Sequence, residues 1–270
     1  MAQQATTDED IADLSPGKFR NLVRQGRWKD VTTNACRGYA QANLVIVPKS
    51  LAFEFLLFCT RNPKPCPVIE VTDTGEFQPK FSAPDADLRT DLSKYRVFKK
   101  GDLIDEPADI VQYWDENLVA FLLGCSTNFE SSLRDANVNF RYIGDNNTNI
   151  ECAPAGRFHG NMIVSTRVFK SSHDAVLSVQ ITSRNLAAHG PPVYIGKNPD
   201  HIGIKDIYHP DSFSPPEHIR PIEPNEIIMC WACGVTPQIV AINSKISFMI
   251  THCPGHMFIT DKLSEELVIL

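Results

Sequence analysis

Long apolar runs are missing from this chain of 270 residues. Stretches such as LVAFLLGC (residues 118–125) fall well short of the roughly 20 residues that cross a bilayer as a helix, so no membrane role is expected. An excess of positive charge is missing too. Lys and Arg total 26 against 32 Asp and Glu, a net charge of -6, with no basic stripe to follow a phosphate backbone, which argues against nucleic acid as a partner. The opening MAQQATTDEDIADL is polar and acidic, the reverse of a secretory leader's basic and apolar regions and unlike a mitochondrial presequence. A reduced, cytoplasmic protein is the expectation, and the eight cysteines read as free thiols, since a chain of this length needs no staples. There is no P-loop, no GxGxxG with a distal acid, no GxSxG elbow and no protein-kinase signature.

What is present is an ordinary globular composition, 43% hydrophobic and 21% charged, with 19 Pro and 14 Gly spread along the chain. Many turns and short elements follow from that. LSPGKFRNLVRQGRW predicts a helix with Ser15 as N-cap and Pro16 in the first turn. Residues 43–47 predict a strand closed by Pro48, followed by a strongly apolar helix capped by Ser50 and ended by Pro63 and Pro65. Strands follow at 68–71 and around 95–98, with a helix after Pro107. LVAFLLGC fits a buried helix or a strand. Ser126 stands as cap to a helix with Glu130 in its first turn. Residues 145–160 read as a long irregular loop, 161–169 as a strand, 174–183 as a helix, HGPPVYIG as a turn and short strand, and 209–226 as a proline-rich surface passage. The last third predicts strands at 226–232, 246–251 and 257–260, with a helix starting at Thr236–Pro237. Helices interleaved with strands imply an α/β or α+β fold, with mixed β-sheets in one compact two-lobed unit spanning 1–270 and a flexible start over 1–14.

Polar residues concentrate in a few loops, where binding groups are enriched. CTRNPKPCP places Arg61 and Asn62 after an apolar helix; Arg61 suits a bidentate grip on a carboxylate, or else caps the helix C-terminus. NIECAPAGRFHG brings Glu151 and Arg157 as cleft candidates. WACGVTPQ holds a C-x2-C, Cys230 and Cys233, ahead of a helix start. A four-Cys zinc site needs a second close pair, and none exists. Free N–H groups around Thr236 and Gln238 would instead face an anion. THCPGH carries His252 and His256, four apart. Pro254–Gly255 forbids the helix that would turn this spacing into a metal pair, so either His reads as a general acid or base. Arg184 and His189 in ITSRNLAAHG are further candidates.

Eight stretches together resemble the D-glutamate cyclase family of hydro-lyases: GYAQANLVIVP, FCTRNPKPCPVIEVT, ADLRTDLSKYRVF, LVAFLLGCS, TNIECAPAGRFHG, ITSRNLAAHGPPVYIG, WACGVTPQ and THCPGHMFITD. They arrive in family order over residues 31–261. Departures from the family pattern include Asn34 where glycine is common, a shortened segment before Thr148, and Cys253 where alanine is common. The resemblance implies a lyase that closes D-glutamate to 5-oxo-D-proline with loss of water, or acts on a related small amino or hydroxy acid, with no cofactor. The chemistry asks for proton transfer, assigned to His252 and His256 with Arg157 and Glu151 beside them. It also asks for a carboxylate grip and polar donors, assigned to Arg61, Asn62, Thr236, Gln238, Arg184 and His189. A homo-oligomer is compatible with this reading. Two alternatives stand beside it: a non-catalytic small-carboxylate-binding or regulatory protein, and a metal-assisted dehydratase using Cys233, His252 and His256.

Overall fold

The computed structural model describes residues 11–211 and 219–268. It is a mixed α/β fold of two antiparallel sheets with helices interleaved. The first sheet runs β2 (Val68–Val71), β5 (Leu118–Gly124), β1 (Tyr39–Pro48), β10 (Met249–His252), β3 (Tyr95–Lys99) and β4 (Asp102–Asp105), with β11 (Phe258–Leu263) also paired to β1. The second runs β6 (Phe140–Glu151), β7 (Asn161–Phe169), β9 (Ile227–Ala232) and β8 (Tyr194–Gly196). The helices are α1 (Pro16–Arg24), α2 (Lys49–Arg61), α3 (Thr127–Asp135), α4 (Ser172–Ser183) and α5 (Thr236–Ser244).

Alternation along the strands explains the layers, because successive side chains leave a sheet on opposite faces. On β5, Val119, Phe121 and Leu123 join the core shared by the two sheets, while Leu118, Ala120 and Leu122 pack outward under residues 83–92. A strand with apolar cover on both faces shows no period-2 pattern, which is why LVAFLLGC reads equally as helix or strand. On β7, Val164 and Val168 enter the shared core, while Phe169 with Met229 and Trp231 of β9 packs against Phe129 and Leu133 of α3. Phe55 of α2 clips the shared core together, edge-on to Phe121 at 4.8 Å between ring centroids and 5.2 Å from Phe158. Each fully buried side chain of this size contributes roughly 1.5–3 kcal/mol.

Some expectations give way. Residues 145–151 are not loop but the second half of β6, paired to β7 at 145–147 and again at Glu151, while side chains meet donors off the ladder: Asn147 N–H donates to Asp211 Oδ2 at 2.9 Å and Ile150 N–H to Thr148 Oγ1 at 3.1 Å. Only a 3₁₀ turn, Val111–Tyr113, follows Pro107. Helix α2 begins at Lys49, so Ser50 lies inside its first turn instead of capping it. Ser126 makes no side-chain cap to α3; its hydroxyl accepts from Arg167. At the start of the described chain, Ile11 is buried in a small core with Phe19, Val23 and Trp28, so order begins before residue 14. The expected flexible residues 1–10 and part of the proline-rich passage, 212–218, lie outside the described residues. No described helix is long and apolar enough to cross a membrane.

Candidate active site

The C-terminal ends of β5, β9 and β10 come together at one end of the shared core. There they open a cleft of about 340 Å³ between the starts of α3 and α5. Two glycines allow the approach. A Cβ on Gly124 would lie 1.5 Å from the carbonyl oxygen of Ala187, so only glycine lets the turn that carries His189 lie against β5. A Cβ on Gly234 would lie 1.9 Å from Nδ2 of Asn43, the same amide that donates to Gly124 O at 2.7 Å.

A buried cation forms one wall. Arg167 projects from β7 on the α3 side, under the rings of Phe129, Trp231 and Tyr142, with its guanidinium carbon 5.0, 5.5 and 5.7 Å from the three centroids. Its Nε donates to Glu130 Oε1 at 3.0 Å, and Nη2 reaches the same oxygen. Nη1 donates to Ser165 Oγ at 2.9 Å, and Nη2 to Ser126 Oγ at 3.2 Å. A charge so enclosed persists because partners surround it. The other oxygen of Glu130 accepts from Arg134 of α3 at 3.0 Å.

Asp145 stands across from Ser165 on β6. Tyr142 and Asp145 are three apart and would face opposite ways on a regular strand. The register shift between Tyr142 and Gly144 re-aims the chain so that both line the cleft. Burial pushes the Asp145 carboxyl up to about 6, against the opposing pull of hydrogen bonds from Tyr142 and Cys233 and the charge of Arg167. Cys233 sits at the bend before α5. Burial and the neighbouring Asp145 carboxylate raise its thiol well above the ordinary range, so it stays protonated.

Two imidazoles complete the lining. Burial brings both His189 and His252 down to about 4, so both are neutral near pH 7. Nδ1 of His189 lies 2.6 Å from the carbonyl oxygen of Lys64, which places the proton on Nδ1 and leaves Nε2 as an acceptor. His189 holds this position with φ of 77°, in the left-handed region. Nδ1 of His252 accepts the Leu44 N–H at 3.2 Å, a closer contact than the 3.4 Å to Leu44 O, so its proton belongs on Nε2. The cleft therefore offers one neutral imidazole of each tautomer.

The structure brings together some of the residues singled out from sequence and separates others. His252 and His189 line the cleft; His256 does not, its Nδ1 lying 2.8 Å from Ser93 Oγ. The ligand set Cys233, His252 and His256 is therefore not assembled, and no group of three or more His, Cys, Asp or Glu among the described residues is placed to hold a metal ion. Thr236 and Gln238 are buried beside the cleft and act as supports: Thr236 Oγ1 accepts from Ile163 N at 3.1 Å, and Gln238 Nε2 donates to His252 O at 3.0 Å. Cys230 faces the shared core, not Cys233's cleft, so the C-x2-C is split.

The loops holding Arg61 and Arg157 meet each other instead of the cleft. Asn62 Nδ2 donates to Phe58 O and Ala153 O, both at 2.8 Å, and its Oδ1 accepts from Ala153 N at 2.7 Å. Arg61 reaches Pro154 O nearby. Arg157 pairs with Glu54 on the outer face of α2 at 3.5 Å. Glu151 ends β6 exposed, and Arg184 is exposed at the end of α4. Sequence reasoning passed over Arg167, Glu130 and Asp145. The one available signal was a row of polar residues, Ser165, Thr166 and Arg167, inside an otherwise apolar strand.

The D-glutamate cyclase family model matches residues 119–261, the segment that supplies most of this cleft. A protein of Geobacillus kaustophilus named "Putative hydro-lyase GK2103" is 50% identical over 265 residues, covering 96% of this chain and 98% of that protein. "Putative hydro-lyase YcsI" of Bacillus subtilis is 48% identical over 263 residues, covering 95% of this chain and 100% of its own. Among solved structures, a nitrogen repressor-like protein from Methanococcus jannaschii aligns over 86% of this chain and 90% of its own, at 7% identity and a TM-score of 0.39, too slight a likeness to bear on the site. On the family match and on identity that runs almost end to end, the chain belongs to the D-glutamate cyclase family, whose relatives carry the hydro-lyase name.

Proposed function

We propose that this protein is a hydro-lyase that closes D-glutamate, or a closely similar amino diacid, to a five-membered lactam with loss of water. The family carries the reaction class. One observation carries the site: Asp145, His189, His252 and the buried guanidinium of Arg167 line a single cleft, where burial raises the carboxyl to about 6 and keeps both imidazoles neutral near pH 7. A base with a pKa just below neutrality is ionised at pH 7 yet still strong enough to take a proton.

In this reaction the substrate ammonium must first lose a proton, and Asp145 is the base for it. The freed nitrogen attacks the γ-carboxyl carbon, forming the C–N bond. A second N–H proton is lost as the tetrahedral centre collapses, and one former carboxylate oxygen leaves. The two protons shed by nitrogen are the two that depart on oxygen as water, so the reaction needs no outside acid. Asp145 passes on the proton it took, and His189, whose Nε2 lone pair accepts the second, delivers that one, so both reach the leaving oxygen, while the Nε2–H of neutral His252 donates a hydrogen bond to the oxyanion of the tetrahedral centre. Arg167, fixed by Glu130, Ser126 and Ser165, supplies positive potential without moving.

The test is an NMR time course of the protein with D-glutamate, L-glutamate, D-glutamine and 2-hydroxy diacids. Stereospecific 5-oxoproline, formed at least about a hundredfold more slowly with Asp145→Asn, is the expected result. Saturable ligand shifts with no turnover of any compound would sink the lyase reading and leave a carboxylate-binding protein.

A further inference from the structure

Glu130 holds two arginines, one with each oxygen, and the two are not equivalent. Arg167, on Oε1, has a side chain 1% exposed and further hydroxyl partners in Ser126 and Ser165. Arg134, on Oε2, is 58% exposed, in the last turn of α3. Its guanidinium carbon also lies 5.9 Å from the centroid of Phe140, at the edge of attraction to that ring. Arg134 lines the cleft, and it also lines a broader groove of about 800 Å³ that runs along α3 and shares Thr33 and Thr127 with the cleft.

We infer that Arg134 is the carboxylate subsite of the cleft: its guanidinium leaves Glu130 Oε2 and grips the carboxylate of an incoming acid that takes no part in bond making. The two arginines differ in what an exchange of partners would cost. Moving Arg167 would strip a buried charge of its partners, which is strongly unfavourable. Moving Arg134 breaks an exposed ion pair of little net strength, and Glu130 remains neutralised by Arg167. Its planar guanidinium then meets the α-carboxylate in bidentate geometry, while Asp145, on the lining of the same cleft, faces the ammonium carried by the same carbon. The two groups together select an α-amino acid, whose carboxylate and ammonium share one carbon. Arg61 and Arg157 cannot supply this grip, because they lie with the 153–158 loop and Glu54. The inference rests on the cleft being the substrate site.

Glutarate, which has two carboxylates and no amine to cyclise, is the binding probe, titrated calorimetrically into wild-type protein, Arg134→Ala, Arg134→Lys and Arg157→Ala. Thermal melts establish that each variant is folded. Expected results are a loss of tenfold or more in affinity for Arg134→Ala, an intermediate loss for Arg134→Lys, and none for Arg157→Ala. The salt dependence of wild-type affinity should flatten in Arg134→Ala. With D-glutamate as substrate, KM should rise by the same factor while kcat changes less than threefold, a split that a merely structural residue would not produce. Wild-type binding matched by Arg134→Ala overturns the subsite and leaves the site intact. Wild-type protein that binds neither acid overturns both.

Discussion

Nδ1 of His252 lies 3.2 Å from the backbone nitrogen of Leu44, in the gap where β1 changes partners. Val45 and Ile46 pair with β10, Gln41 and Ala42 with β11, and the turn at 253–257 steps over the residues between. The imidazole takes an N–H that the ladder leaves over, so one side chain both mends the sheet and lines the cleft. His252→Ala should cost about 1–3 kcal/mol by leaving that buried donor unpaired. His252→Asn, with an acceptor oxygen in reach, should recover much of the stability and none of the turnover. Urea denaturation beside a turnover assay separates the two roles.

Asp145 should set the acid limb of the rate profile. Its carboxyl, raised to about 6, must be ionised to accept a proton, so kcat/KM should fall tenfold per pH unit below about 6. Asp145→Asn should lower kcat by roughly 10²–10⁴-fold and abolish the limb. An unchanged limb in that variant would assign it to another group.

Acid should destabilise the fold before most carboxylates protonate. His189 and His252 sit near 4 in the folded state against 6.5 ordinarily, so the unfolded chain binds more protons between those values. Their contribution is fully present above pH 6.5 and is lost as pH falls towards 4. Asp145, raised from 3.8 to about 6, works the other way: its contribution is present below 3.8 and lost as pH rises through 6. Two imidazoles outweigh one carboxyl, so the melting temperature should drop between pH 6.5 and 4. His189→Gln should shallow that slope in a pH series of thermal melts.

Gly124→Ala forces a methyl into the carbonyl of Ala187, on backbone that cannot rotate away. We expect about 1–3 kcal/mol of destabilisation from overpacking. Turnover should fall further than stability, because the displaced turn carries His189. Arg157→Ala, on an exposed pair, should stay within about 0.5 kcal/mol and leave turnover unchanged. A large loss of turnover in Arg157→Ala would place the chemistry on the outer face of α2 instead.

How much was legible in advance differs by element. Helix α1 begins at Pro16 after Ser15, β7 spans Asn161–Phe169 and α5 starts at Thr236, all as local patterning predicts. These elements carry their own signals in adjacent residues. Strand β6 does not, because Asp145, Asn146 and Asn147 are turn formers by local preference and become strand only when β7 lies alongside. His252 and His189 stood out as titratable groups in loops, whereas His256, with the same credentials and four residues from His252, faces Ser93.

Composition, turn chemistry and a series of family-like stretches were enough to determine the fold class, a few element boundaries and the family, since each depends on neighbours in the chain. The working interior of the cleft was decided by tertiary structure alone. Arg167 meets Glu130 across 37 residues, and His252 meets Leu44 across 208. Burial, which moves the Asp145 carboxyl to about 6 and both imidazoles to about 4, belongs to the surroundings and not to the residue. No local pattern encodes what will exclude water from a polar side chain, so its chemistry exists only once the sheets have closed around it.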